Sequence, residues 1–337
     1  MKTQVPGHSD YEDMRLISRV LNLYYRDELT QAQVGQRLGL STAKVNRLLK
    51  HALREGMVKV TIRTPLRHLS DLESRLKAIF GLDDAVVIPQ IDEDESGWPY
   101  TLGAAGASHL LDHLRDGDII GIGGGASVHA VVQAMTPQRK YHVRVVPILG
   151  AVQGQAAADV NDLAAQLAER LGGRAYRLHA PAFVDTREQR DTLLAMGPIR
   201  EILDIARQAH VVVMGVGTMH PGESRLVEFT ALQYKDIKEI ASSSGGVGEI
   251  AARVYDLDGR PCASQYAGRV VGLTLEELKS IPLTIGVAAT ATKAYPLFGA
   301  LRGNFLQSLV TDEAAAQGLL ELFAREFRGP SQSGSDR

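Results

Sequence analysis

Glycines, hydroxyls, a carboxylate and a lysine recur in this chain where apolar runs end. The segment Gly121-Ile122-Gly123-Gly124-Gly125-Ala126-Ser127 closes the run Ile119–Ile122 and opens a helical stretch from Val128 to Met135. Such a turn offers bare backbone N–H groups and the positive end of a helix dipole to an anion, with the Ser127 hydroxyl as a further donor; phosphate is the natural guest. Read as Gly121-x-Gly123-x-x-Ala126, the same residues mimic a dinucleotide fingerprint, which requires an acid at the end of the next strand to hold a ribose. Pro147-Ile148-Leu149-Gly150-Ala151 supplies none, and no Gly-Lys-Ser/Thr follows the glycines, which excludes a P-loop. A tight turn without a ligand is the plain alternative.

Three further positions share this character. Val213-Met214-Gly215-Val216-Gly217-Thr218 is a second apolar run ending in glycines, at Gly215 and Gly217. In Ala241–Glu249 a flexible Ser/Gly stretch is followed by Glu249, and a carboxylate beside a phosphate loop suits the hydroxyls of a sugar, although such an acid is as readily a solvated or capping group. Lys293 follows the run Leu283–Ala288, and a lysine at the C-terminal end of a strand reaches a phosphate as a point charge.

A different chemistry is written near the N-terminus. Ser41 can cap a helix Thr42–Arg54 whose apolar residues Val45, Leu48 and Leu49 leave Lys44, Asn46, Arg47 and Lys50 on the other face. Arginine can bridge O6 and N7 of guanine and asparagine N6 and N7 of adenine, whereas Ser41, Thr42 and the lysines suit phosphates. A preceding short helix starts at Thr30 and Gln31, with Thr30 and Gln33 spaced as a capping box, and ends at Gly39. Two helices joined by a tight glycine turn form a helix-turn-helix, which lays the second helix in the major groove of operator DNA. Thr30, Gln31, Ser41, Thr42, Lys44, Asn46, Arg47 and Lys50 are therefore the DNA-binding candidates. One such module contacts few phosphates and bases, so at least a dimer is expected.

The elements that must position these groups divide the chain in two. Residues 11–28 place Met14, Ile17, Val20, Leu21 and Tyr24 at helical spacing, and Met57–Arg63 alternates apolar and polar side chains as a half-buried strand or wing would. Residues 1–64 are assigned to a winged helix-turn-helix domain, 65–328 to an effector-binding and oligomerisation domain, and 329–337 to a disordered tail. Pro65 and a charged helix Leu69–Phe80 make the junction. Beyond it, apolar runs at Ala85–Ile88, Ile119–Ile122, Val143–Ile148, Val211–Met214 and Leu283–Ala288 alternate with helices, which predicts an α/β fold with a mostly parallel sheet buried on both faces.

Charge follows the same division. Residues 1–67 carry 12 Lys and Arg against 6 Asp and Glu, and the remaining 270 carry 25 against 33, although the whole chain nets only −2. A basic small domain on an acidic large one suits contact with a polyanion. No apolar run reaches the ~18 residues that cross a bilayer, and the first residues are too polar for a signal peptide, so no membrane partner is expected and the cytoplasm is the expected compartment. Cys262 is the single cysteine; it reads as inert and excludes an internal disulfide and a cysteine-rich metal site. No metal ligands and no cofactor are assigned.

An enzyme acting on sugar phosphates is the competing reading. Catalysis needs an acid or base over the sugar carbons, and Glu249, Asp185 and His179 are the residues that could be proposed. No nucleophile, base and orienting partner can be assembled from them.

Together these segments resemble the SorC family of sugar-responsive transcriptional regulators across roughly residues 12–325. The resemblance rests on Leu29-Thr30-Gln31, Leu38-Gly39-Leu40-Ser41 and Lys44-Val45-Asn46-Arg47-Leu48-Leu49 in the small domain. In the large one it rests on Gly121-x-Gly123-x-Gly125-x-Ser127, Gly246-Val247-Gly248-Glu249-Ile250, Asp258-Gly259, Lys293-Ala294 and Leu309-Val310-Thr311-Asp312-Glu313. It implies a Rossmann-like fold related to sugar-phosphate isomerases and deaminases, a homodimer or tetramer, and a phosphorylated sugar or polyol as effector. By the same resemblance the residues from Gly121 to Ser127 and Lys293 hold the phosphate, and Glu249 contacts the sugar. Three departures stand out: Ala288-Ala289-Thr290-Ala291-Thr292 precedes Lys293 where the family commonly has Ala-Gly-Gly, Ser127 stands where threonine is usual, and Glu249 where aspartate is common.

Overall fold

The computed structural model describes residues 8–58, 66–90, 98–152, 159–220, 222–229, 232–262 and 266–327. The chain forms two compact units, Met1–Pro65 and Leu66–Arg337. The wing expected over Met57–Arg63 lies largely, and the tail 329–337 wholly, outside the described residues.

In the small unit, α1 (His8–Tyr25), α2 (Gln31–Leu38) and α3 (Thr42–Arg54) pack around Val20, Val34, Val45 and Leu49. The starts of α2 and α3 are capped as their residues dictate. Gln33 N–H donates to Thr30 Oγ1 at 3.3 Å while the Gln33 side chain accepts from Thr30 N–H at 2.9 Å, and Lys44 N–H donates to Ser41 Oγ at 3.2 Å. One expected core residue is outside it: Met14 is 51% exposed, and among the described side chains of α1 the first buried one is Ile17. The closeness of α2 to the turn depends on Gly35, where a Cβ would sit 2.6 Å from the carbonyl oxygen of Leu40.

The large unit runs, in chain order, α4 (Arg67–Phe80), β1 (Asp84–Ile88), α5 (Trp98–His113), β2 (Ile119–Ile122), α6 (Ala126–Ala134), β3 (Arg144–Pro147), α7 (Val160–Leu171) and β4 (Arg174–Ala175). It continues through α8 (Arg187–Ala195), α9 (Gly197–Arg207), β5 (Val211–Gly215), β6 (Gly217–Thr218), α10 (Leu226–Phe229), α11 (Tyr234–Ser244), β7 (Gly246–Ile250) and β8 (Arg253–Asp256). After α12 (Leu275–Lys279) come β9 (Leu283–Val287), α13 (Ala294–Arg302), β10 (Ser308–Asp312) and α14 (Glu313–Phe327).

Seven strands form one parallel sheet in the order β1-β10-β9-β5-β2-β3-β4, and β6-β7-β8 form a small antiparallel sheet. The strands expected from apolar runs are all present in the larger sheet. Ile119, Ile120, Ile122, Val145, Val146, Val212 and Val213 are buried, the pattern of a sheet with helices on both faces. β10 was not among those runs; it carries Ser308, Thr311 and Asp312, all fully buried.

The order fixes where a ligand can enter. From β2 the chain proceeds to β3 and β4 on one side, while β5, on the other side of β2, leads on to β9 and β10. The connections leaving β2 and β5 therefore diverge, and in open α/β sheets the crevice at the carboxyl ends of such strands is the binding position.

Candidate functional site

At that switch point lies a cavity of about 480 Å³. Gly123, Gly124, Gly125, Ala126 and Ser127 form its wall at the end of β2, Gly215 and Gly217 at the end of β5, Glu249 on β7, and Lys293 after β9. Four separated stretches of the chain thus meet around one volume. Gly121 does not line it: it sits within β2, where a Cβ would be 2.6 Å from Val212 Cγ2 and 2.9 Å from Ile148 Cγ2, so its role is close packing inside the sheet.

The glycine loop is held open by backbone geometry. Gly123 N–H donates to the Val213 carbonyl at 2.9 Å, tying the loop to β5, and Gly125 at φ +106° turns the chain into α6 in a conformation side chains disfavour. Gly125 is the N-cap and contributes no side-chain hydrogen bond, so the first N–H groups of α6 have no side-chain cap and face the cavity end of the helix. Lys293 stands at the N-cap position of α13. A cation there opposes the helix dipole, and the arrangement concentrates positive potential from two helix starts and one ammonium in a single pocket.

Lys293 is positioned through a buried carboxylate. Asp312 Oδ1 accepts from Ala315 N–H at 3.1 Å, capping α14, and from Thr290 N–H at 2.9 Å; the Thr290 carbonyl in turn accepts from Lys293 N–H at 3.0 Å. Thr290 is held at φ +90° and ψ 152°, a region that only glycine adopts without strain. The departure from glycine noted in the sequence before Lys293 therefore falls on a backbone that still has the glycine conformation.

Glu249 lies on β7, the middle strand of the small sheet, and the Ser/Gly stretch before it is the end of α11 with its cap at Gly245. Its cross-strand partner is Gly217, and its carboxylate accepts from Ala252 N–H at 2.8 Å. That bond closes the two-residue hairpin Ala251-Ala252, whose residues both have positive φ (50° and 61°) without the Asn-Gly sequence such turns favour. Burial pushes the Glu249 carboxyl above the usual range, opposed by the Ala252 hydrogen bond and by the charge of Lys293. Behind the hairpin, Arg253 donates to the carbonyls of Ala267, Val270, Gly272 and Leu273, fastening β8 to the neighbouring segment.

Sequence reasoning missed several lining residues. Thr218, Glu223, Arg225, Thr290 and Thr292 add hydroxyls, a second carboxylate and a guanidinium, and Leu149, Met214, Val216 and Leu226 supply apolar wall. Glu223 and Arg225 sit between β6 and α10, where no local periodicity marks them. The two other residues considered for catalysis lie elsewhere: His179 and Asp185 are exposed and outside the cavity.

In the small unit, Ser41, Thr42, Lys44, Arg47 and Lys50 are exposed along α3 and Asn46 is half-buried. Thr30 is exposed and Gln31 half-buried at the start of α2. The hydroxyls of Thr30 and Ser41 are already engaged in caps, so the ends of Lys44, Arg47 and Lys50 are the groups with reach.

The sequence matches the family described as "Putative sugar-binding domain" over residues 64–321, and Sigma-70 region 4 over residues 18–55, the stretch that holds α2 and α3. It is 32% identical over 311 residues to the erythritol catabolism regulatory protein EryD of Brucella abortus, covering 91% of this chain and 97% of that protein. The chain belongs to the SorC family of sugar-binding transcriptional regulators. A second relative, the sorbitol operon regulator of Klebsiella pneumoniae, is 28% identical over 92% of this chain and 99% of its own. The solved structure of full-length SorC from Klebsiella pneumoniae superposes with a TM-score of 0.70 at 27% identity, covering 92% of this chain and 99% of that one. These relatives are transcriptional regulators, which sets the isomerase-like enzyme aside. Among the described residues, no helix is long and apolar enough to cross a membrane.

Proposed function

We propose that this SorC-family regulator controls genes of carbohydrate or polyol catabolism and that a phosphorylated sugar or polyol, bound at the switch-point cavity, changes its affinity for operator DNA. The observation that carries the reading is the pairing of an uncapped α6 start with Lys293 on one side of a cavity whose other side presents Glu249. Backbone N–H groups, a helix dipole and an ammonium suit a phosphate, and a carboxylate accepts hydrogen bonds from hydroxyls. Gly123, Gly124, Gly125, Ala126, Ser127, Gly215 and Lys293 make the phosphate end; Gly217 and Glu249 make the sugar end, joined by Arg225 and Glu223. The volume is that of a small-molecule site. The relatives named for erythritol catabolism and a sorbitol operon support a polyol-derived ligand.

On the DNA side, Lys44, Asn46, Arg47 and Lys50 read or grip the major groove, with Ser41, Thr42, Thr30 and Gln31 at the phosphates. A homodimer or tetramer supplies the two heads that a pair of half-sites requires. The test is binding of the purified protein to labelled DNA from its own upstream region, at fixed salt, with phosphorylated and unphosphorylated sugars and polyols. A shift in operator affinity with a phosphorylated compound and none with its unphosphorylated parent is the expected result. Unchanged affinity across the panel overturns it.

A further inference from the structure

At the end of the sheet opposite the cavity, Asp84 opens β1, Ser308 opens β10, and His109 and His113 lie one turn apart near the end of α5. One ligand-type atom from each of Asp84, His109 and His113 lies within 4.8 Å of the others. The hydrogen bonds around them settle which nitrogens are available. Ser308 Oγ donates to the Asp84 carbonyl at 3.1 Å, so its 2.6 Å contact with His109 Nε2 is one in which the ring N–H donates and the hydroxyl accepts. The Nδ1 of His109 then bears the lone pair, and it faces Asp84 Oδ2 at 4.0 Å. His113 Nδ1 donates to the His109 carbonyl at 2.9 Å, which leaves Nε2 as its lone-pair atom. Asp84 Oδ1 is occupied by Lys77 Nζ at 3.1 Å and by Ala85 N–H at 2.9 Å, so Oδ2 is the carboxylate oxygen turned to the histidines.

Two acceptor atoms facing each other at 4.0 Å are too far apart for a hydrogen bond and repel without something positive between them. Ligand atoms bound at about 2.0–2.2 Å to one tetrahedral zinc stand about 3.3–3.5 Å apart, so a side-chain shift of roughly half an ångström from the 4.0 Å separation seats an ion between them. Each histidine also has its other ring nitrogen anchored on a carbonyl or hydroxyl, the outer hydrogen bond that orients metal-ligating histidines. We propose that Asp84 Oδ2, His109 Nδ1 and His113 Nε2 form a binding site for a divalent cation of the zinc type, distinct from the effector cavity. Two imidazoles and one carboxylate favour zinc, cobalt or nickel over magnesium or calcium. The ion fastens α5 to β1, and α5 packs against α6, whose start carries the glycine loop. The His-x-x-x-His spacing is visible in the sequence; the aspartate 25 residues upstream that completes the set is brought in only by the fold.

The experiment uses full-length, tag-free protein treated with chelator and then titrated with Zn²⁺ against a chromophoric competitor, with Co²⁺ absorption as a second readout. One equivalent of Zn²⁺ should bind with a dissociation constant below about 100 μM. His113→Ala, at an exposed side chain, should weaken that binding at least tenfold, and Ser308→Ala, which touches no ligand atom but frees the His109 ring, should weaken it about 10- to 100-fold. Zn²⁺ should raise the thermal midpoint of the parent protein and not that of His113→Ala. Binding weaker than about 100 μM, or binding unchanged in His113→Ala, overturns the proposal and leaves Asp84, Lys77 and His109 as an ordinary ion-pair cluster.

Discussion

The carboxylate of Glu249 occupies the space that a side chain at Gly217 would fill: a Cβ on Gly217 would lie 2.0 Å from Glu249 Oε1. The two residues are direct cross-strand partners, so the glycine at the end of the β5–β6 segment is what lets the acid fold back over the strand and meet the Ala252 N–H. Gly217→Ala should displace the carboxylate, cost about 1–3 kcal/mol of stability through the clash, and weaken the effector response roughly tenfold. The double variant Gly217→Ala with Glu249→Ala should recover most of that stability, because the colliding atoms are gone, but not the response. Chemical denaturation and operator release assays read the two effects separately, and failure of the double variant to recover would show that the glycine serves the backbone instead.

Burial raises the folded-state value of the Glu249 carboxyl above its unfolded value, so between those two values the folded chain holds more protons at this site than the unfolded chain. Its contribution is fully present below the ordinary glutamate range, near pH 4.3, and is lost as pH rises through the folded value. Replacing the group by an amide removes that dependence. Thermal midpoints of the parent and of Glu249→Gln, measured from about pH 4.5 to 8, should therefore diverge, with the parent losing stability relative to the variant as pH increases. Parallel curves would mean that Lys293 and the Ala252 N–H fully offset the burial.

The strain at Thr290 is open to a direct measurement. A non-glycine residue at φ +90° and ψ 152° costs on the order of 1–3 kcal/mol, held in place here by the bond from its N–H to buried Asp312. Glycine removes the strain and costs about 0.5–1 kcal/mol in chain entropy, and it also loses the 3.0 Å contact between the Thr290 and Thr292 hydroxyls. Thr290→Gly should on balance stabilise the large unit by about 1 kcal/mol, read as a higher denaturant midpoint at unchanged slope. A lower midpoint would show that the threonine side chain contributes more than its backbone costs.

The legibility of these features in the sequence depended on whether their cause is local. The glycine loop, the Thr30–Gln33 capping box, the Ser41 cap and the five apolar strands are written in consecutive residues, and each stands where its pattern placed it. β10 was not, because Ser308, Thr311 and Asp312 lie fully buried, and the partners that satisfy Ser308 and Asp312, such as His109 and Thr290, come from distant segments. β7 was hidden for a related reason. Gly246 and Gly248 lower strand propensity, and the hairpin that follows uses alanines where Asn-Gly would have announced a turn. Glu249 was found by residue type, but its strand, its glycine partner and the neighbouring Arg225 belong to the tertiary structure.

In the DNA-reading unit, reading and folding can be separated by two substitutions twelve residues apart, at Gly35 in α2 and Arg47 in α3. Arg47 is exposed on α3 and lies outside the core around Val34, Val45 and Leu49. If its guanidinium reaches a base edge, Arg47→Ala should weaken operator binding by about 1–3 kcal/mol, most at one base position, while ligand binding and the thermal midpoint stay as they are. Gly35 is buried in α2 with the Leu40 carbonyl 2.6 Å from the position of an added Cβ, and neither backbone can yield without opening the turn. Gly35→Ala should therefore destabilise the small unit and abolish binding to every DNA sequence alike, leaving effector binding by the large unit intact. Footprinting with a mutated-operator series distinguishes the two. Retained specificity in Arg47→Ala would move the reading role to Asn46 or Lys44, whereas full operator affinity in Gly35→Ala would mean that the α2–α3 turn tolerates a side chain and is set by its caps alone.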